Sequence, residues 1–222
     1  MEICTLSGVV KNYRMGETVT PLKKLDLTVN SGDFIAVEGP SGMGKSTLLY
    51  VIGTLLKADE GTIQFGGKDI AAMSEREQTV LRGEKIGFLF QDSNLIQALT
   101  LRENLEFAQT LGGKRKGDPK RVEEMLDRLG LSDRANFLPY QLSGGQRRRA
   151  MAARALIHSP DLILADEPTN DLDEVWAEKV VSLLQDETRR GAAVVMVTHN
   201  SQWSACASIR YYLDDGRLIR RD

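Results

Sequence analysis

Nine consecutive residues, Gly39-Pro40-Ser41-Gly42-Met43-Gly44-Lys45-Ser46-Thr47, place glycines, a lysine and hydroxyls in the spacing that cradles a polyphosphate. Glycines let the backbone curl until successive N–H groups face the anion. Lys45 sets a cation against the terminal phosphates, and the Ser46 hydroxyl can ligate Mg²⁺. The apolar run Phe34-Ile35-Ala36-Val37 before the loop reads as a buried strand and the residues after it as a helix, the context such a loop requires. Further along, the apolar run Leu162-Ile163-Leu164-Ala165 delivers two adjacent carboxylates, Asp166 and Glu167, to a strand's carboxyl end. Open α/β sheets bind their ligands there. An isolated pair of this kind would more often cap a helix. Downstream of a phosphate loop it reads as Asp166 serving Mg²⁺ through its water shell and Glu167 acting as general base on the attacking water.

A third element, Leu142-Ser143-Gly144-Gly145-Gln146, leads into a helical pattern rich in Arg and Ala and makes a second anion-binding N-terminus. With these motifs in this order, the chain resembles the ATP-binding-cassette family over essentially its whole length. The resemblance implies that two cassettes, by default identical, associate head to tail. Each ATP would lie between one subunit's phosphate loop and the other's Ser143, Gly144, Gly145 and Gln146, with Ser143 and Gly145 in contact with it. The resemblance also implies that Gln91 senses Mg²⁺ and contacts a membrane subunit, and that His199 is the switch histidine. Tyr13 would stack on adenine, and Asn170-Asp171-Leu172-Asp173 would form the loop where subunits touch.

Within the family, the run from Phe90-Gln91-Asp92-Ser93 to Arg102-Glu103-Asn104-Leu105 resembles the lipoprotein-release, macrolide-efflux, haem-efflux and cell-division ATPases. Gln97-Ala98 stands where that group usually has a proline, and Asn170-Asp171 where it usually has Gly-Asn. The sequence ends soon after His199 without the regulatory domain of several importer ATPases, which favours an exporter or extraction machine working on the cell envelope. The partner implied is a separate integral-membrane permease, which would hold the ATPase at the cytoplasmic face. DNA-repair and translation cassettes share the hydrolytic motifs and are the alternative. Repair forms, however, separate loop and signature by a very long coiled coil, and translation forms fuse two cassettes. A purely regulatory ATP-binding module would lack Glu167.

To position these residues the chain needs an α/β fold: a P-loop nucleotidase core with an antiparallel β subdomain and an inserted helical subdomain. One domain over 1–222 is expected, with 1–91 and 158–222 as the nucleotide-binding core and about 92–157 as the helical, signature-bearing part. Leu25, Leu27 and Val29 alternate with polar residues and Ser31-Gly32-Asp33 marks a turn. Strands are expected at 62–65, 86–90, 162–165 and 192–198, the last two apolar enough to be covered on both faces. The first strands look antiparallel. Helices are expected at 45–56, 145–157, 173–190 and 119–129, with a capping box at Thr100-Leu101-Arg102-Glu103. Asp215-Gly216 predicts a terminal hairpin, and 112–117 a mobile surface loop.

Composition narrows the function classes. The 29 basic side chains nearly balance 31 acidic ones, so no overall positive field collects nucleic acid. The basic runs Lys114-Arg115-Lys116, Arg147-Arg148-Arg149 and Arg220-Arg221 read as solvated faces. Cys4 and Cys206 are too few for a disulfide framework and lack metal-site spacing, which points to a reducing compartment. No apolar run approaches the roughly 18–20 residues that span a bilayer, so a membrane link has to come through a partner.

Overall fold

In the computed structural model, which describes residues 1–111 and 117–221, two long strands, β1 (Glu2–Met15) and β2 (Glu17–Asn30), pair antiparallel. The loop expected at 112–117, with the basic run inside it, falls almost wholly outside the described residues. Along β2, Leu25, Leu27 and Val29 are buried while Asp26, Thr28 and Asn30 face solvent, as a half-buried strand demands. A turn in which the Asp33 N–H donates to Asn30 O (3.0 Å) then carries the chain into a different sheet at β3 (Phe34–Glu38). Next come α1 (Lys45–Ile52), β4 (Glu60–Phe65), β5 (Lys68–Asp69), α2 (Glu75–Lys85) and β6 (Ile86–Leu89). The helices α3 (Leu101–Thr110), α4 (Pro119–Arg128) and α5 (Gly144–Leu156) follow. The chain closes with β7 (Leu162–Asp166), α6 (Glu174–Arg189), β8 (Ala193–Val197), the short α7 (Ser201–Ser204), β9 (Ile209–Asp214) and β10 (Arg217–Arg221).

One sheet runs β2-β1-β4-β5 with antiparallel pairing, as expected of the first strands. The other runs β10-β9-β3-β8-β7-β6 and is parallel except for the terminal β9–β10 hairpin. The period-2 alternation of a strand splits each apolar run of the parallel sheet between two cores. Phe34, Ala36, Ile163, Ala165, Val194 and Met196 join the core that contains residues of α3, α4, α5 and α6. Ile35, Val37, Leu162, Leu164, Val195 and Val197 join the core that contains α1 and the antiparallel sheet. Both faces are covered, which is why these strands read as continuous apolar runs.

Beyond shifts of one or two residues at other element ends, such as β4 beginning at Glu60 and β8 spanning Ala193–Val197, the structure differs from expectation in four places. Helix α1 ends at Ile52 rather than 56, because Thr54 takes φ 59° and the N–H groups of Leu55 and Leu56 both turn back to Tyr50 O (2.8 and 3.0 Å). The strand expected at 86–90 stops at Leu89. Helix α2 and most of the first hairpin had no expectation attached. Helix α2 buries no residue, so it carries no apolar stripe to detect, and β1 pairs with β2 through several register shifts that blur its alternation.

The fourth concerns Arg147-Arg148-Arg149, expected on a solvated face: Arg148 and Arg149 are only 5% and 9% exposed. Backbone carbonyls make that burial tolerable. Arg149 donates to Leu129 O (2.6 Å) and Gly130 O (3.3 Å) beyond the end of α4, and its guanidinium lies 3.8 Å from the Trp176 ring. Arg121 of α4 does the converse, donating to Leu156 O (3.1 Å) and Ile157 O (2.6 Å) at the end of α5. Each helix thus satisfies orphan carbonyls of the other, in the favourable sense for a helix C-terminus.

Candidate functional site

The glycine-rich loop connects β3 to α1. Its last glycine, Gly44, sits at φ 97°, where a Cβ would come within 2.7 Å of Pro21 Cβ, so only glycine fits both the backbone and the space. Lys45, 9% exposed, reaches back along the loop and donates to Gly39 O (2.6 Å) and Pro40 O (2.9 Å). The curl is therefore held by the cation the sequence marks for phosphate. Around it opens a cavity of about 430 Å³. Ser41, Gly42, Gly44, Lys45, Ser46 and Thr47 line it, while Gly39, Pro40 and Met43 belong to the loop without lining the cavity. Tyr13, Val19 and Pro21 close it from the antiparallel sheet, and the Tyr13 hydroxyl lies 3.5 Å from Thr47 Oγ1. Gln91, Asp166, Glu167, Asn170 and His199 complete the lining, all from the carboxyl ends of β6, β7 and β8.

Asp166 is the last residue of β7 and 2% exposed. Burial pushes its carboxyl above the usual aspartate value, opposed by a hydrogen bond from Ser46 and by the charges of Lys45 and Arg148. Its Oδ2 is buried without a hydrogen-bond partner. A buried carboxylate oxygen lacking a partner beside a serine hydroxyl suits a hydrated divalent cation. Among the described residues no cluster of three or more His, Cys, Asp or Glu side chains forms a metal cage. Mg²⁺ held beside Asp166 and Ser46 would take the rest of its ligands from phosphate and water, as this ion usually does in nucleotide sites.

The raised value has a consequence for stability. The folded protein binds the Asp166 proton more tightly than the unfolded chain, so this group stabilises the fold below its ordinary pKa of about 4 and loses that contribution as pH rises through the raised folded value. The neutral variant Asp166→Asn should accordingly show a higher Tm at pH 7, with the gap closing in acid. Thermal unfolding at the two pH values checks this, and a variant less stable than the parent at pH 7 contradicts it.

Glu167 follows in the left-handed region at φ 48°, a conformation of the kind that clusters at active sites. Its N–H is tied to Val197 O (3.0 Å). Its carboxylate accepts Thr198 Oγ1–H on Oε2 (3.0 Å) and both the His199 N–H (3.0 Å) and Nδ1 (2.8 Å) on Oε1. Because a carboxylate only accepts, Nδ1 of His199 carries the hydrogen, and Nε2 is the nitrogen left to meet a ligand.

The signature residues are elsewhere. Ser143 caps α5: its Oγ accepts the Gln146 N–H (3.2 Å), and Gln146 Oε1 accepts the Ser143 N–H (2.9 Å). A Cβ on Gly145 would sit 3.0 Å from Asp171 O, so this N-terminus packs against the Asp171 segment. None of Ser143, Gly144, Gly145 and Gln146 lines the cavity. Sequence reasoning missed Thr198, fully buried and bonded to Glu167, although a hydroxyl between an apolar strand and His199 was a usable signal. It also missed Arg148.

The parallel sheet, the glycine-rich loop between β3 and α1 and the carboxylates at the end of β7 define a P-loop nucleoside triphosphatase. A family model described as ABC transporter matches residues 22–170. The chain is 39% identical over 219 residues to the lipoprotein-releasing system ATP-binding protein LolD 1 of Rhodopirellula baltica, covering 97% of this chain and 96% of that one. It is 38% identical over 217 residues to the uncharacterized ABC transporter ATP-binding protein YvrO of Bacillus subtilis, covering 97% and 95%. With the macrolide export ATP-binding/permease protein MacB of Escherichia coli K12 it shares 40% identity over 217 residues, 97% of this chain but 34% of the longer relative. Among solved structures, the ATP-binding cassette MJ0796, in a dimeric post-hydrolysis state bound to ADP and Pi, matches at TM-score 0.94 and 38% identity over 99% of this chain and 98% of that one. The chain belongs to the ABC transporter family, as one of its ATP-binding, ATP-hydrolysing cassettes. Among the described residues no helix is long and apolar enough to cross a membrane.

Proposed function

We propose that two copies of this chain work head to tail, each ATP held between the phosphate loop of one and residues 143–146 of the other. The pair would drive a separate integral-membrane permease from the cytoplasmic face, in export or extraction of a cell-envelope, haem, peptide or drug-like substrate. The observation that carries this reading is the separation inside one chain: a phosphate loop and a hydrolytic pair share a cavity, while a second anion-binding N-terminus stands outside it. A second copy gives that N-terminus a nucleotide to meet. In this reading residues 92–157 form the helical part that carries the signature, and the flanking segments 1–91 and 158–222 the nucleotide-binding core. The dimeric state of MJ0796 and the names of LolD 1 and MacB support the dimer and the transport role.

The loop N–H groups and Lys45 would grip the phosphates, and Tyr13 would stack on adenine. Ser46, Asp166 and Gln91 would hold Mg²⁺, which neutralises phosphate charge when bound. A carboxylate offers about four lone-pair sites; Glu167 uses three on Thr198 and His199, so one remains to accept the proton of the attacking water. A second cavity, of about 290 Å³, supports the permease partner. Leu55, Phe88, Phe90, Ala108 and Leu111 give it an apolar wall, and Leu55 and Leu111 remain 43% and 45% exposed. Phe90 lines this groove and the next residue, Gln91, lines the nucleotide cavity.

Mixed dimers test the composite site. With Lys45→Ala in one subunit and Ser143→Arg in the other, head-to-tail geometry places both lesions at one site and leaves the other whole. The mixed dimer should therefore occlude and hydrolyse one ATP in a single turnover, while either homodimer has a lesion at both sites. Loss of both sites in the mixed dimer would show that Ser143 serves its own subunit's ATP. Purification of the native complex from membranes, with identification of the membrane subunit, tests the permease.

A further inference from the structure

Arg148 lies on α5, outside the nucleotide cavity, yet its buried side chain touches two segments that the proposed reaction has to keep in step with that helix. Nη1 donates to Phe90 O (2.8 Å) and Nη2 to Gln91 O (2.7 Å). Nε donates to Asn170 O (3.2 Å), and Nη2 stands 3.6 Å from Asp171 Oδ2. The carbonyls of Phe90 and Gln91 lie past Leu89, the last ladder residue of β6, so the sheet no longer fixes them. Asn170 in turn donates its N–H to Glu167 O (3.2 Å), which ties the same guanidinium, through one residue, to the backbone of Glu167.

We propose that Arg148 is a positioning residue for ATP hydrolysis, holding the Phe90-Gln91 carbonyls and the Asn170-Asp171 segment in register with the helix that Ser143 caps. A guanidinium is a rigid planar fork, so three carbonyls bound to it are fixed relative to one another as well as to α5. Lysine presents its donors from one point on a flexible stem and cannot span them together. The charge of Arg148 also reaches the cavity, where it opposes the upward shift of Asp166. The proposal rests on the reading that Gln91, Glu167 and Ser143 serve ATP. It adds that their mutual placement depends on one side chain that contacts no nucleotide.

The test compares the parent, Arg148→Lys and Arg148→Met for equilibrium affinity toward a fluorescent ATP analogue with Mg²⁺ and for single-turnover hydrolysis per bound ATP. A parent that binds but does not hydrolyse would sink the underlying reading and leave nothing for Arg148 to position. Given parental hydrolysis, Arg148→Met should keep its affinity within about twofold and lose about tenfold or more in turnover per bound ATP, since misplacement of a reacting group costs rate on that scale. Arg148→Lys should recover part of the loss. Unchanged turnover per bound ATP in Arg148→Met overturns the proposal. A parallel fall of affinity and turnover also overturns it, because that pattern marks a damaged fold rather than a displaced group. If Arg148→Met does not fold, Arg148→Lys and Arg148→Gln decide on the same criterion: retained affinity with slowed turnover supports the role, and parental turnover in both removes it.

Discussion

Glu167→Gln should bind ATP about as tightly as the parent and hydrolyse it roughly 10²–10⁴-fold more slowly, the scale of a removed general base. The substitution is close to isosteric, and the surroundings of Glu167 accommodate it. The amide oxygen can still accept the two His199 donors, while the amide nitrogen can donate to the Thr198 hydroxyl, which accepts as readily as it donates. What disappears is the lone pair left for the water proton. ATP-bound dimers should accumulate, because the step that ends the closed state is blocked, and a sizing column run with ATP should show the shift from monomer to dimer. Parental turnover by Glu167→Gln in the assembled transporter would remove Glu167 from the role of base.

Lys45→Ala should act on affinity instead. The ammonium is buried and is held by two loop carbonyls at 2.6 and 2.9 Å, so the variant loses the cation proposed to meet phosphate and leaves Gly39 O and Pro40 O without that donor. A hydrogen bond to a charged group contributes about 1.5–3 kcal/mol, which at about 1.4 kcal/mol per decade is roughly a ten- to hundredfold rise in the Kd for ATP. Equilibrium nucleotide titration measures it, with thermal unfolding as the control for loop damage. A folded Lys45→Ala protein with parental affinity would mean that the phosphates are held by the backbone N–H groups alone.

The legible parts of this molecule were those in which local chemistry and fold agree. A buried strand, a glycine-rich turn and a lysine at a helix start admit few readings, and Phe34 through Thr47 fold as that pattern requires. The alternation at Leu25, Leu27 and Val29, the Thr100–Glu103 capping box and the Asp215-Gly216 turn were readable for the same reason. Helix α2 was not, since a helix that buries nothing leaves no periodic trace. The arginine run misled for a geometric reason. Successive helical residues are turned by about 100°, so three in a row cannot share one solvated face on a helix packed among others. Which of them turned inward depended on carbonyls at 90, 91, 129, 130 and 170, distant in sequence and brought to α5 only by the fold. The separation of residues 143–146 from the cavity was likewise invisible in the residues themselves and came to the sequence reading only through the family resemblance.

Phe90 and Gln91 are joined by a single peptide, with the apolar groove against one and the nucleotide cavity against the other. A wall that thin has a thermodynamic consequence. Where a nucleotide in the cavity favours one placement of this peptide and a partner in the groove also binds one placement better, each alters the other's affinity, and reciprocity requires the factor to be the same in both directions. The hold of the proposed permease, if it seats in this groove and distinguishes the two placements, should then rise or fall with nucleotide occupancy, and a substitution that stiffens this peptide without touching either ligand should drive the coupling factor toward one while leaving the separate affinities largely intact.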